Sequence, residues 1–232
     1  MLIRAGVSPI ATLPIAFLAG ALAGMVTGLL NTALGIPGIL ASILTQISLY
    51  SINLNIMGKA NQPVSVDNYP LVVSLRYVTD GSVSRLLFFL GMIVFLLALI
   101  AVMYWYFGTE QGHAIRATGC NGNMARAQGI NTNFIKVLAL MISNGLVGLC
   151  GALYGQFQGA SDVNMGRGAI VIGLAAVIIG EVLFGKFASK RKLAFAFTLA
   201  SVILGAVIYY MVYQFVLWLK MPSEDMKLFS AI

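Results

Sequence analysis

The chain has 232 residues, of which 59% are hydrophobic and only 9% charged, with a mean hydropathy of +0.93. A water-driven globule is excluded, because several runs reach the roughly 20 apolar residues that cross a bilayer, and a spanning chain must satisfy its backbone within helices. The net charge of +7 is spread over short loops; that suits orientation and anionic headgroups, and no dense basic-aromatic stretch supports nucleic-acid binding.

The first predicted span is Ile10–Leu30. Its small-residue stretch Ala21-Leu22-Ala23 resembles a signal-peptidase site, but the apolar run is too long for a typical cleaved signal, so a spanning helix is expected. Gly20, Gly24 and Gly28 form a doubled small-xxx-small pattern on one face, where a second helix can approach closely. The turn NTALGIPG, Asn31–Gly38, must break the helix, because Pro37 has no amide proton and Gly38 is flexible.

The second span, Gly38–Met57, carries an unusual polar load. Ser42, Thr45, Gln46 and Asn53 fall near one face, with Tyr50 alongside. Such a stripe faces either a water-filled path or a neighbouring helix to which it hydrogen-bonds, and both readings stand at this point. Lys59–Arg85 follows, a polar connection with Pro63 and Pro70, read as a short hairpin or a surface helix.

The third span, Leu86–Phe107, leads into a polar island, GTEQGHAIRATGCNGNMARAQGINT, Gly108 to Thr132. Asn121 is placed to cap a short helix over Gly122–Gln128 and Gly129 to end it. A short helix outside the membrane, held by two spanning helices, suits the reception of force from a soluble partner; the alternative is an ordinary solvated loop. The fourth span, Phe134–Phe157, repeats the small-residue pattern at Gly151 and Gly155, read as tight packing, and contains Asn144, a further candidate for a polar path. The turn GASDVNMGRG, with Asp162, Asn164 and Arg167, either caps helices or recognises a partner.

A short sixth hydrophobic segment, Ala169–Gly185, contains Glu181, an acid that needs a partner or water at that depth, the island or Lys186 being candidates. The last long span is Leu193–Leu219. Lys186, Lys190, Arg191 and Lys192 crowd one short loop, expected to be cytoplasmic; alternation then places the island on the same side, although the total Lys and Arg count divides evenly. Met1 then lies outside, and MKLFSAI reads as the beginning of another apolar segment, so both ends look like cuts through a longer protein.

Catalytic chemistry finds no foothold. The one histidine, His113, lies in the island, no GxxxxGK[ST] phosphate loop is present, and no metal set or cofactor is expected. Cys120 and Cys150 are expected to be free thiols. The expected fold is an all-α polytopic bundle, one transmembrane domain over residues 1–232, broken near Pro37 and carrying the short helix of the island.

Three ordered stretches carry a resemblance: NTALGIPGILASILTQISLYSINLNIMGKAN, AIRATGCNGNMARAQGIN and GLAAVIIGEVLFG. Together with GAxxGQFQG after the island, they resemble permeases of binding-protein-dependent ABC importers of the branched-chain amino-acid and ribose type. Within that family they are similar to a subfamily linked to amino-acid uptake, tryptophan or tyrosine among the candidates. The resemblance implies a multi-pass permease subunit in a bacterial cell (inner) membrane, working with a cytoplasmic ATPase subunit, an extracellular or periplasmic binding protein and a second permease copy. It implies that Gly119, Asn121, Ala125, Arg126, Gly129 and Ile130 form the segment that couples to the ATPase, and that the family often has an acid where this chain has Cys120; Glu181, as a candidate contact of the island, is grouped with these coupling residues. It also implies further spans at both ends. The alternative is a stand-alone secondary carrier or channel; carriers usually show internal repeats and midplane ionisable groups, and neither is convincing here.

Overall fold

The computed structural model describes residues 2–3, 6–64, 71, 73, 82–166, 169–188 and 194–218. Much of the connection from Lys59 to Arg85, Arg167, the basic loop at Lys190–Lys192 and everything after Trp218 lie outside the described residues. The described part is helical apart from one small sheet. In chain order it runs α1 (Pro9–Thr32), α2 (Gly38–Met57), β1 (Asn61–Pro63), α3 (Ser82–Phe107), α4 (Glu110–Cys120), α5 (Gly122–Ala127), α6 (Thr132–Gln158), β2 (Ala160–Asp162), α7 (Ala169–Ala188) and α8 (Ala194–Trp218). Among the described residues, five helices are long and apolar enough to span a membrane, and α7 contains a shorter apolar stretch, Ile172–Phe184. The expected all-α polytopic bundle is therefore present.

The chain divides into two compact units, Met1–Val94 with Tyr106–Met165, and Phe95–Trp105 with Gly166–Ile232. In the first, α1 packs along α6. Gly20, Gly24 and Gly28 make this possible. A Cβ on Gly20 would run into the Asn144 carbonyl, one on Gly24 into the Leu140 carbonyl, and one on Gly28 would lie 2.9 Å from the Val137 Cα. Contacts that step forward along α1 step backward along α6, so the two helices are antiparallel. The α6 side of this contact corrects the sequence reading. Gly151 has nothing within 4 Å of a built Cβ and Gly155 meets only Ala160; the close glycines are Gly145, against the Phe17 ring, and Gly148, against the Ala16 carbonyl. Small-residue spacing alone does not say which face of a helix meets its neighbour.

At one end of this pair the buried Gln156 side chain donates to the Pro9 carbonyl at 3.1 Å and to Thr12 Oγ1 at 3.2 Å. The chain breaks at Pro37 as expected. Gly35 takes a left-handed φ of +68°, Asn31 Nδ2 donates to the Ile36 carbonyl at 2.8 Å, and α2 starts with Pro37 at its N-cap. α2 returns beside α1, where the Thr27 and Thr45 hydroxyls hydrogen-bond at 2.9 Å. Lys59–Arg85 does not begin as a local hairpin: β1 instead pairs antiparallel with β2, Gln62 opposite Ser161. Pro9, Met57 and Gln158 thus share one end of this unit, while the 33–37 turn and the island's helices lie at the ends of α1, α2 and α6 opposite to it. In the second unit α7 packs on α8, with Gly180 against the Ser201 carbonyl and Gly205 against the Ala176 carbonyl.

Candidate functional site

The island is more ordered than a loop. Its first half is a helix, α4, which the sequence reading did not assign. The available signal was Thr109, whose hydroxyl accepts from the Gly112 N–H at 3.4 Å, followed by Glu110 in the first turn, where a carboxylate favours a helix start. Gly112 is buried, and a Cβ there would strike Phe107 and the Tyr106 carbonyl, so the α3–α4 corner requires glycine.

α4 ends at Cys120, and Asn121 alone separates it from α5. Asn121 Oδ1 accepts from the N–H groups of Asn123 and Met124, each at 3.1 Å, and so caps α5 as its sequence predicts. At the other end Gly129 has φ +84°, its N–H donates to the Arg126 carbonyl at 2.9 Å, and the Ile130 N–H donates to the Ala125 carbonyl at 3.1 Å. These are the paired bonds of a Schellman cap, so the stop is local as well. Asn131 then caps α6 by accepting from the Phe134 N–H at 3.2 Å.

The side chains of α5 divide into an inner and an outer set. Ala125 is only 3% exposed, so its small side chain packs within the tip. Arg126 is exposed, but its Nε donates to Thr132 Oγ1 at 2.7 Å. Gly119, Cys120, Asn121, Asn123 and Gln128 are exposed, and Ile130 is half-buried. The outer residue that the sequence reading missed is Met124, 60% exposed on a short polar helix. A large apolar side chain held in the open by a doubly capped helix has the form of an interface anchor.

The α2 stripe is only partly as expected. Thr45 is buried, donates to the Ala41 carbonyl at 3.0 Å and bonds Thr27, so it joins two helices. Ser42, Gln46, Tyr50 and Asn53 are exposed and lie on the side of α2 next to this contact; Ser42 donates back to the Gly38 carbonyl at 2.8 Å. Asn144 is half-buried on α6 and donates to the Leu140 carbonyl at 3.0 Å. Glu181 is exposed on α7, in the second unit, and the Lys186 side chain lies outside the described residues. Cys120 and Cys150 are free and exposed.

Against known proteins, the family described as "Branched-chain amino acid transport system / permease component" matches residues 1–232. A tyrosine transport system permease protein of Clostridioides difficile (strain R20291) is 39% identical over 227 residues, covering 98% of this chain and 71% of the relative. An uncharacterized protein of Rickettsia prowazekii (strain Madrid E) is 33% identical over 169 residues, 73% of this chain and 57% of the relative. The autoinducer 2 import system permease protein LsrC of Yersinia pseudotuberculosis serotype O:3 (strain YPIII) is 27% identical over 226 residues, 96% of this chain and 59% of the relative. The chain thus spans from 57% to 71% of the length of these relatives. No solved structure gives a significant match. With the family model matched from end to end, the chain belongs to this family of transport permease components.

Proposed function

We propose that this chain forms the path of an ABC importer in a bacterial inner membrane, and that the energy enters through α5 from a separate cytoplasmic ATPase subunit. An external binding protein delivers the solute, and a second permease copy, most simply an identical one, completes the path. The observation that carries this reading is the tip itself: α5 is capped at both ends, tied to α6 through Arg126 and Thr132, and presents Met124 outward. An element that receives force must be rigid and must offer a surface, and α5 does both. The dense basic loop after α7 supports a cytoplasmic placement.

The solute is a small polar compound, an amino acid or a relative of one. The name of the tyrosine permease supports this class. Ser42, Gln46, Tyr50, Asn53 and Asn144 supply neutral donors and acceptors that pass a zwitterion without a fixed charge to trap it. The test is reconstitution of the permease in liposomes, alone and with its ATPase and binding protein. Uptake should require all three components and ATP. Ion-driven uptake by the permease alone would instead make it a secondary carrier.

A further inference from the structure

Arg126 is exposed, at the last turn of a helix that looks built for docking, and the simplest role for it is a partner contact. Its hydrogen bond points elsewhere. The Nε–H donates at 2.7 Å to the hydroxyl of Thr132, the first residue of α6, which is only 2% exposed. A guanidinium is planar, so fixing the Nε–H also fixes the plane of the rest. The intervening residues, 128–131, contain the left-handed Gly129, a joint that without a second tie would be a natural hinge. The half of α6 that follows Thr132 has no comparable freedom: from Val137 to Asn144 it lies on α1 with backbone against backbone at Gly28, Gly24 and Gly20.

We infer that the Arg126–Thr132 bond is a strut, which locks α5 to α6 so that displacement of the tip moves α6 and α1 together instead of bending residues 128–131. Arg126 is then a positioning residue for energy coupling, and Met124, two positions before it, is the contact. This inference rests on the proposed entry of energy at α5. It differs from a partner-contact role for Arg126 in a way that can be measured, because the strut needs the Thr132 hydroxyl and a partner contact does not.

The test uses Thr132→Val, which keeps the shape and removes the hydroxyl, Thr132→Ser, which restores it, Arg126→Gln, and the Arg126→Gln/Thr132→Val double variant. Amide hydrogen exchange of residues 122–131 is measured on the purified full-length permease alone. Solute moved per ATP hydrolysed is then measured on complexes that have recruited the ATPase normally. Thr132→Val and Arg126→Gln should each raise exchange in 122–131 by about tenfold, the factor expected for losing a hydrogen bond from a charged donor. Each should lower solute moved per ATP, the double variant should be no worse than either single, and Thr132→Ser should behave as wild type. Unchanged exchange in Thr132→Val overturns the strut, as does additivity in the double variant. Raised exchange with unaltered solute per ATP makes the bond purely structural and also overturns it. Failure of the wild-type chain to recruit an ATPase is a separate result, which overturns the function and is distinguishable because the exchange arm involves no partner. If Thr132→Val does not fold, Arg126→Gln, at an exposed position, decides the exchange arm.

Discussion

The α5 tip and the open face of α2 both expose polar side chains, but they are built in opposite ways. At the tip almost every backbone end has a partner within a few residues: Asn121 caps the start, Gly129 and Ile130 close the end, and Arg126 ties the helix to α6. On α2, Thr45 reaches the neighbouring α1, whereas Ser42 turns back to its own helix. A surface for a folded protein gains from being pre-organised, since ordering it on binding costs affinity. A surface that a small solute passes gains from adaptable polar groups. The proposed roles, a docking point at the tip and a path along α2, require such a difference.

The two regions should fail together where they share a support. α1 carries both the contact to α6 and the bond to α2, so Gly24→Leu, which drives a side chain into the Leu140 carbonyl, should push the helices apart. Folded yield should collapse, and uptake and ATPase recruitment should vanish together, as size-exclusion chromatography and pull-down would show. Survival of either function alone would mean that the two regions do not share α1.

Substitutions confined to one region should separate them. Gly129→Ala places a Cβ at φ +84°, a left-handed conformation that costs roughly 1–2 kcal/mol for an L residue. Recruitment of the ATPase should fall about tenfold, with insertion intact. Gln46→Leu should do the reverse, lowering uptake per assembled complex several-fold while recruitment stays at wild type. If Gln46→Leu instead prevented assembly and each assembled complex transported normally, the α2 face would be packing surface. The smallest effect is expected for Thr45→Val. It removes one interhelical hydrogen bond, worth on average about 0.6 kcal/mol inside a membrane, so a small loss of stability in unfolding experiments with uptake nearly intact is the expected result.

Much of the tip is legible in the sequence. Asn121, Gly129 and Pro37 act through their own backbone neighbours, and such signals survive in any tertiary context. Gly20, Gly24 and Gly28 were legible as a face of α1, but not as the partner of Gly145 and Gly148, because pairing depends on how two helices are set against each other. α4 was hidden by its glycines and its polar composition, with only Thr109 and Glu110 to betray it. The Gln156 bonds to Pro9 and Thr12 join residues 147 and 144 positions apart, a distance over which no local pattern carries information. Thr45 shows a related limit: its residue type allows either a path or a contact with a neighbouring helix, and only its burial and its bond to Thr27 show which.

The most direct test of energy entry at α5 is a photo-crosslinking amino acid placed at Met124 in the full-length permease, assembled with its ATPase and binding protein in native membranes. A crosslink to the ATPase subunit is expected, because Met124 stands 60% exposed on the capped helix. A crosslink to the external binding protein, or none to the ATPase in a complex that transports normally, would contradict it.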